Sequence, residues 1–119
     1  MLLGDVDSAI GTIGSIGAAE TEFARTHPNS GYTCDISKLG ANQVISGLIK
    51  HQNTRNGYEF EVIGCRGGDQ RVANSAYLLT ARPSHAGQPA FCSDETRIMW
   101  WDETGSPAKC MEMRRPLND

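Results

Sequence analysis

Four cysteines are the residues of this 119-residue chain with the most direct chemical meaning. They are widely spaced, at Cys34, Cys65, Cys92 and Cys110, and no two form a Cys-x-x-Cys pair. An even number of cysteines in a short chain predicts a disulfide framework, which forms outside the cytosol. Buried free thiols and a zinc site are the rival interpretations, although structural zinc sites usually take their ligands in closely spaced pairs.

Four cysteines permit three pairings, and their order along the chain favours the local one. Cys34 follows a predicted helix and Cys65 ends a predicted strand, so this pair would fix the segment after the helix to the sheet. Cys92 and Cys110 flank another strand and its downstream turn, so the second pair would tie both ends of a β unit together.

The acidic residues near the C-terminus are the one candidate ion site. Asp94 and Asp102, each followed by a glutamate, offer the hard oxygen ligands that Ca²⁺ prefers. The run that begins at Asp102 lacks the ligand spacing of an EF-hand and is also typical of a hairpin turn. Apart from this possible Ca²⁺ site, the sequence predicts no metal or cofactor.

No catalytic or nucleic-acid-binding pattern is present in the sequence. A Gly-x-Ser-x-Gly elbow is missing, and the glycines of residues 11–17 have neither the spacing nor the lysine of a phosphate-binding loop. Cys34 lies near His27, but a disulfide cysteine beside a surface histidine is the simpler interpretation. The net charge is −3 and the basic residues are scattered, which argues against nucleic-acid binding.

The first element of the chain is a long helix, predicted over residues 5–25. Asp5, Asp7 and Ser8 supply capping and dipole-compatible groups at its front, and the run Thr26-His-Pro28-Asn-Ser-Gly31 ends it. Its apolar residues follow a helical period: Val6, Ile10, Ile13, Ile16 and Phe23.

Glycines mark a predicted packing face on this helix, although each costs about 1 kcal/mol relative to alanine in a helix interior. The face can pack on a sheet in the same domain or against neighbouring subunits, and the spacing leaves both open. Its members are Ile10, Ile13, Ile16, Gly11, Gly14 and Gly17.

The remaining elements predict an α+β fold in which the long helix packs on an antiparallel sheet of three to four strands. A capped helical turn is predicted over residues 35–40 and a short helix over residues 41–50. Alternating or apolar runs predict strands over residues 58–63, 76–81 and 97–101. Residues 1–110 form one predicted domain, followed by a polar tail over residues 111–119. Trp100 and Trp101 are adjacent in a strand and therefore point to opposite faces.

Several short motifs, in this order and spread over residues 8–110, resemble bacterial type IV pilin-like proteins. The resemblance begins in the glycine- and isoleucine-rich run of residues 8–23 and continues in short motifs along the rest of the chain. These are Gly31-Tyr-Thr-Cys34, Leu39-Gly40, Gly57-Tyr-Glu-Phe60, Tyr77-Leu-Leu-Thr-Ala-Arg-Pro83, Phe91-Cys-Ser-Asp94 and Gly105-Ser106.

The resemblance implies a non-catalytic structural subunit of a type IV pilus or of the pseudopilus of type II secretion. Such a subunit forms a homo-oligomeric filament through its N-terminal helix and contacts other pilins or secretion-machinery proteins. It implies a place at the cell surface of a bacterium, after anchoring in the inner membrane by an apolar N-terminal half of the helix that this sequence lacks. Cys92 and Cys110 would bound the disulfide region of many pilins, and some pseudopilins bind Ca²⁺ in comparable loops.

Two alternatives come from other classes of protein. One is a secreted, disulfide-stabilised binding or inhibitor module that uses an exposed tryptophan and the loop over residues 66–70. The other is a small secreted hydrolase, for which no catalytic constellation assembles. The gene sequence upstream of Met1 discriminates between them, because a pilin precursor carries a short basic leader and about 20 apolar residues.

Overall fold

A single long helix dominates the computed structural model, which describes residues 3–40, 42–65 and 73–117. This helix, α1, covers Leu3–Thr26, and its 24 residues rise about 36 Å. Asp5 lies in its first turn and Arg25 in its last, where each charge suits the helix dipole. The predicted helix is therefore confirmed and extends slightly beyond both predicted ends. In the described ranges, none of the helices combines the length and the hydropathy that a bilayer span requires.

Two short helical elements follow, and asparagine and aspartate side chains fix where they start. A 3-10 turn covers Ile36–Lys38, where the Asp35 carboxylate accepts the Ser37 N–H at 3.0 Å. Helix α2 covers Gln43–Lys50, and the Asn42 side chain accepts the Ile45 N–H at 2.8 Å. Both predicted elements are therefore present.

The described residues form a six-stranded antiparallel sheet whose strands follow one another in chain order. This corrects the prediction of three to four strands. The strands are β1 (Thr54–Arg55), β2 (Tyr58–Ile63), β3 (Leu78–Pro83), β4 (Ala90–Asp94), β5 (Met99–Asp102) and β6 (Arg115–Pro116).

The strands that the sequence does not predict lack an alternating pattern. Every residue of β4 is buried, so its residues do not alternate between apolar and polar. The edge strands β1 and β6 contain two residues each, too few to show a period. The strand predicted over residues 97–101 begins instead at Met99, because Arg97 has a φ of 66° and the chain turns there.

The end of the chain is folded where the sequence predicts a tail. Helix α3 covers Pro107–Met113, with Ser106 as its N-cap, and Arg114 ends it in the left-handed conformation. Strand β6 follows at once and pairs with β5. The part of the predicted tail that the structure describes therefore belongs to the sheet layer.

The core lies between one face of α1 and the sheet, where α1 crosses β3 and β4. Tyr58, Phe60, Tyr77 and Phe91 supply its largest side chains. Ile45 and Leu48 close one end of it from α2. Fully burying each such side chain contributes about 1.5–3 kcal/mol.

Candidate functional site

The inner face of α1 carries the isoleucines of the predicted packing face. Ile13 and Ile16 are 2% and 0% exposed and belong to the core of this domain, whereas Ile10 is half-buried. These isoleucines therefore pack on the sheet of their own chain, which is the first of the two uses that the sequence left open.

The outer face of α1 consists of small and polar residues. Gly4, Gly11 and Ala18 are spaced by seven residues and are all exposed, which places them on one stripe of the helix. Apart from the backbone of α1 itself, no atom of the described residues lies within 4 Å of the position that a Cβ would take on Gly4, Gly11 or Gly14. We call Gly4, Gly11, Gly14 and Ala18 the small-residue face.

Gly17 differs from the other glycines of α1, because the chain itself fills the space above it. A Cβ on Gly17 would lie 3.2 Å from Arg97 Nε and 3.6 Å from the Tyr77 hydroxyl oxygen. The Arg97 guanidinium crosses the helix there and donates a hydrogen bond to the Gly14 carbonyl at 3.3 Å. Of the three glycines in the predicted packing face, Gly17 therefore serves a contact within the domain.

Both predicted disulfides form, in the predicted pairing. Cys34 pairs with Cys65, which ties the segment after α1 to the end of β2, with a Cα–Cα distance of 5.9 Å. Cys92 pairs with Cys110, which ties β4 to α3 at a Cα–Cα distance of 6.1 Å. All four cysteines are oxidised, which indicates an oxidising, extracellular or secreted environment.

The adjacent tryptophans of β5 lie under arginines from the C-terminal segment. The Arg114 guanidinium lies 4.8 Å from the ring centre of buried Trp100, and Arg115 lies 4.6 Å from that of half-buried Trp101. Cation–π contacts of this kind contribute about 0.5–1 kcal/mol each at exposed sites. The half-buried Trp101 ring, which a binding module would offer to a partner, thus already contacts Arg115 of its own chain. The loop over residues 66–70, the other half of that predicted binding surface, lies outside the described residues.

The two candidate Ca²⁺ ligands occupy separate turns. The buried Asp94 carboxylate accepts the backbone N–H and the hydroxyl of Thr96 at 2.9 and 2.6 Å. Asp102 accepts the Thr104 hydroxyl and the Ser106 N–H, and these bonds hold its pKa below the usual range. Within residues 3–40, 42–65 and 73–117, no three His, Cys, Asp or Glu side chains come together as a metal-binding group. Each carboxylate thus has a structural use as a turn acceptor.

Glu20 is a buried carboxyl group that no motif in the sequence singles out. It is 0% exposed and one of its oxygens accepts the Thr33 N–H at 2.9 Å. Loss of hydration on burial raises its pKa to about 7. A signal was available, because Glu20 follows Ile13 and Ile16 by seven and four residues and so falls on the same helical face.

The histidine suspected of activating a thiol has another position. His27 stacks on Phe23 with ring centres 4.1 Å apart, and Cys34 is consumed in its disulfide. The arrangement of Cys34 and His27 therefore offers no thiolate nucleophile.

Comparison with known proteins returned no matching protein family, no matching curated protein and no matching solved structure.

Proposed function

We propose that this chain is a structural, non-catalytic subunit of a type IV pilus or of a type II secretion pseudopilus. One observation carries the proposal: α1 buries one face on its own antiparallel sheet, and the described residues leave the opposite, small-residue face uncovered. A filament built from parallel helices requires two such faces on each helix, because one face must pack on the sheet of its own domain while the other contacts further copies.

The composition of the small-residue face supports this use of α1. Gly11 costs the isolated helix about 1 kcal/mol relative to alanine, yet among the described residues no other part of the chain lies within 4 Å of its Cβ position. A second helix that approaches closely at Gly11 would use that room, because backbones come nearest where side chains are smallest. The cost to the subunit would then be offset in the assembled filament.

The proposed partners and location follow from the same assignment. Copies of this chain would contact one another through α1, and other pilins or secretion-machinery proteins would join the filament. The filament would lie at the cell surface of a bacterium, with each subunit anchored in the inner membrane before assembly. The two disulfides suit this extracellular end point.

The gene gives the first test. The sequence upstream of the codon for Met1 is expected to encode a short basic leader followed by about 20 apolar residues that continue α1. An ordinary signal peptide with a cleavage site just before α1 would contradict the proposal and would favour the secreted binding or inhibitor module.

Assembly of the full-length protein in its native host gives the second test. Gly11→Leu places a large side chain in open space on the small-residue face, and we expect filament yield to fall at least tenfold while the soluble domain stays folded. Gly47→Leu is the matched control, because Gly47 lies on α2, away from the small-residue face, and a Cβ there would also have no atom within 4 Å. Equal filament yield for the two variants would refute the proposal.

A further inference from the structure

Glu20 is a carboxyl group held inside the protein by a single hydrogen bond. Its side chain is fully buried, and one oxygen accepts the Thr33 N–H at 2.9 Å. Among the residues that the structure describes, its second oxygen has no hydrogen-bond partner. An ionised carboxylate in this position has exchanged water for one backbone donor, which leaves much of its hydration unreplaced.

The charged and titratable groups around Glu20 do not neutralise it. The Tyr77 hydroxyl interacts electrostatically with Glu20, and the Tyr77 ring is in edge contact with that of Tyr32, with ring centres 4.9 Å apart. Arg97 and Asp94 also interact with Tyr77, but the Arg97 guanidinium donates to the Gly14 carbonyl and Asp94 lies 3.7 Å from Arg114.

Glutamate and arginine on the same helix are also occupied elsewhere. Glu22 and Arg25 form an exposed ion pair with each other on the outer side of α1. No cation in the described part of the chain is therefore paired with the Glu20 carboxylate.

The hydrogen bond from Thr33 connects α1 to the segment that follows it. We call residues 27–34 the connection. Tyr32 donates its N–H to the Asn74 carbonyl at 2.9 Å, and the disulfide of Cys34 holds the far end. Between these fixed points, Thr33 meets α1 through Glu20. Opening of this contact is therefore local: the Thr33 hydrogen bond breaks and water reaches the Glu20 carboxyl group, while Asn74 and the disulfide continue to hold the connection.

We propose that Glu20 is a proton-operated latch: with its carboxyl group protonated, α1 stays closed against the connection at Thr33, and ionisation of the carboxyl group opens this contact to water. The latch is a property of the folded domain and does not rest on the proposed filament function.

The direction of the pH effect follows from where the proton binds. Loss of hydration on burial raises the pKa and outweighs the Thr33 hydrogen bond, which favours the ionised carboxylate and lowers the pKa, so the closed state holds its proton up to a pH of about 7. A hydrated carboxyl group releases its proton near 4.5. Closed protein therefore binds more protons than open protein between these limits, and opening becomes more favourable as pH rises. With these two values, the opening constant increases roughly 70-fold between pH 5 and pH 8 and levels off above pH 7.

Two measurements on the folded domain test the latch. A carbon-13 NMR titration of the wild-type protein is expected to show the Glu20 carboxyl group titrating near neutral pH. Hydrogen exchange is expected to show that the protection factor of the Thr33 amide falls roughly 70-fold from pH 5 to pH 8. In Glu20→Gln, which mimics the protonated form, the protection factor stays constant. Glu22→Gln, an exposed position two residues away, keeps the wild-type behaviour.

Three results would overturn the latch. One is a Glu20 carboxyl group that titrates at its ordinary value, near 4.5. Another is a Thr33 pH dependence that survives in Glu20→Gln. The third is a Thr33 protection factor equal to that of the amide of Phe60, a buried residue of β2 whose N–H donates to the Asn53 carbonyl, since the two amides would then exchange by the same unfolding event. The first and third results are read from the wild-type protein, so they decide the matter even if the variant does not fold.

Discussion

Alanine substitutions along α1 should separate the glycine that the domain needs from those it does not. Gly11→Ala and Gly14→Ala add a Cβ where no atom lies within 4 Å, so each should stabilise the monomer by about 1 kcal/mol. Gly17→Ala places its Cβ 3.2 Å from Arg97 Nε, so the guanidinium must shift by a few tenths of an ångström, which strains its 3.3 Å hydrogen bond to the Gly14 carbonyl. Such a hydrogen bond contributes about 0.5–1.5 kcal/mol, so its disruption would offset the gain in helix propensity.

Urea unfolding followed by far-ultraviolet circular dichroism measures these differences in the free energy of unfolding. We expect Gly17→Ala to be less stable than Gly14→Ala by about 1 kcal/mol. In an Arg97→Ala background, the obstruction is gone and Gly17→Ala should gain what Gly14→Ala gains, so the double-mutant cycle isolates the contact.

Equal stabilisation by Gly17→Ala and Gly14→Ala in the wild-type background would refute the assignment of Arg97 to this contact. Destabilisation by Gly11→Ala would refute the open space above the small-residue face. Both measurements belong at concentrations where sedimentation shows a monomer, since an assembled partner would reverse the sign at Gly11.

Three further predictions concern the framework of the domain. Replacing Cys92 and Cys110 together with alanine should lower the free energy of unfolding by about 3 kcal/mol, because their loop of 18 residues is no longer closed; a loss below 1 kcal/mol in urea unfolding would contradict this. Glu20→Gln should stabilise the protein by about 3 kcal/mol at pH 8 and by less than 1 kcal/mol at pH 5, since the wild type loses stability as pH rises from 4.5 to about 7; unfolding curves that keep this slope in the variant would count against it. Asn42→Ala should cost about 1 kcal/mol by removing the cap of α2, whereas Asn42→Asp should keep it; equal stabilities for the two variants, measured by thermal unfolding, would show that the cap is dispensable.

The elements that the sequence predicts are those whose signals are local. The helical period of α1 runs over more than five turns and ends at Pro28, so its limits are nearly fixed by the residues themselves. The strand β2 alternates Tyr58, Phe60 and Val62 on its buried face, a pattern typical of a half-buried strand. The disulfide pairing follows because each cysteine pair flanks elements that are consecutive in the chain.

The elements that the sequence misses depend on the rest of the fold. Strand β4 is covered on both sides, by α1 and by α3, so its residues show no alternation between apolar and polar. The α3 helix is only seven residues long, fewer than two full turns, so its helical pattern is weak. Strand β6 exists because Arg114 turns the chain back, which lets Arg115 reach Trp101.

Burial of a charged group is the hardest of these features to read from sequence, as Glu20 illustrates. The helical period shows that Glu20 lies on the inner face of α1. A glutamate at such a position ordinarily lies at the edge of the buried face, where its carboxylate reaches water. Only the connection, folded back so that Thr33 covers the carboxyl group, removes Glu20 from water. That fold-back depends on Asn74 and on the disulfide at Cys34, both distant in sequence from α1.

The three glycines Gly11, Gly14 and Gly17 do not support the resemblance to pilins equally, because some of them have contacts within their own chain. Gly17 is required by Arg97 and Tyr77 of the same chain, so its presence is explained without any partner. Gly14 is partly explained in the same way, because its carbonyl accepts the Arg97 hydrogen bond. Gly11 alone among these three has neither a neighbour within 4 Å of its Cβ position nor a contact to Arg97, yet it weakens the helix. The proposed assembly contact is therefore to be sought at Gly11, where we expect a substitution to alter assembly while leaving the contacts of the monomer intact.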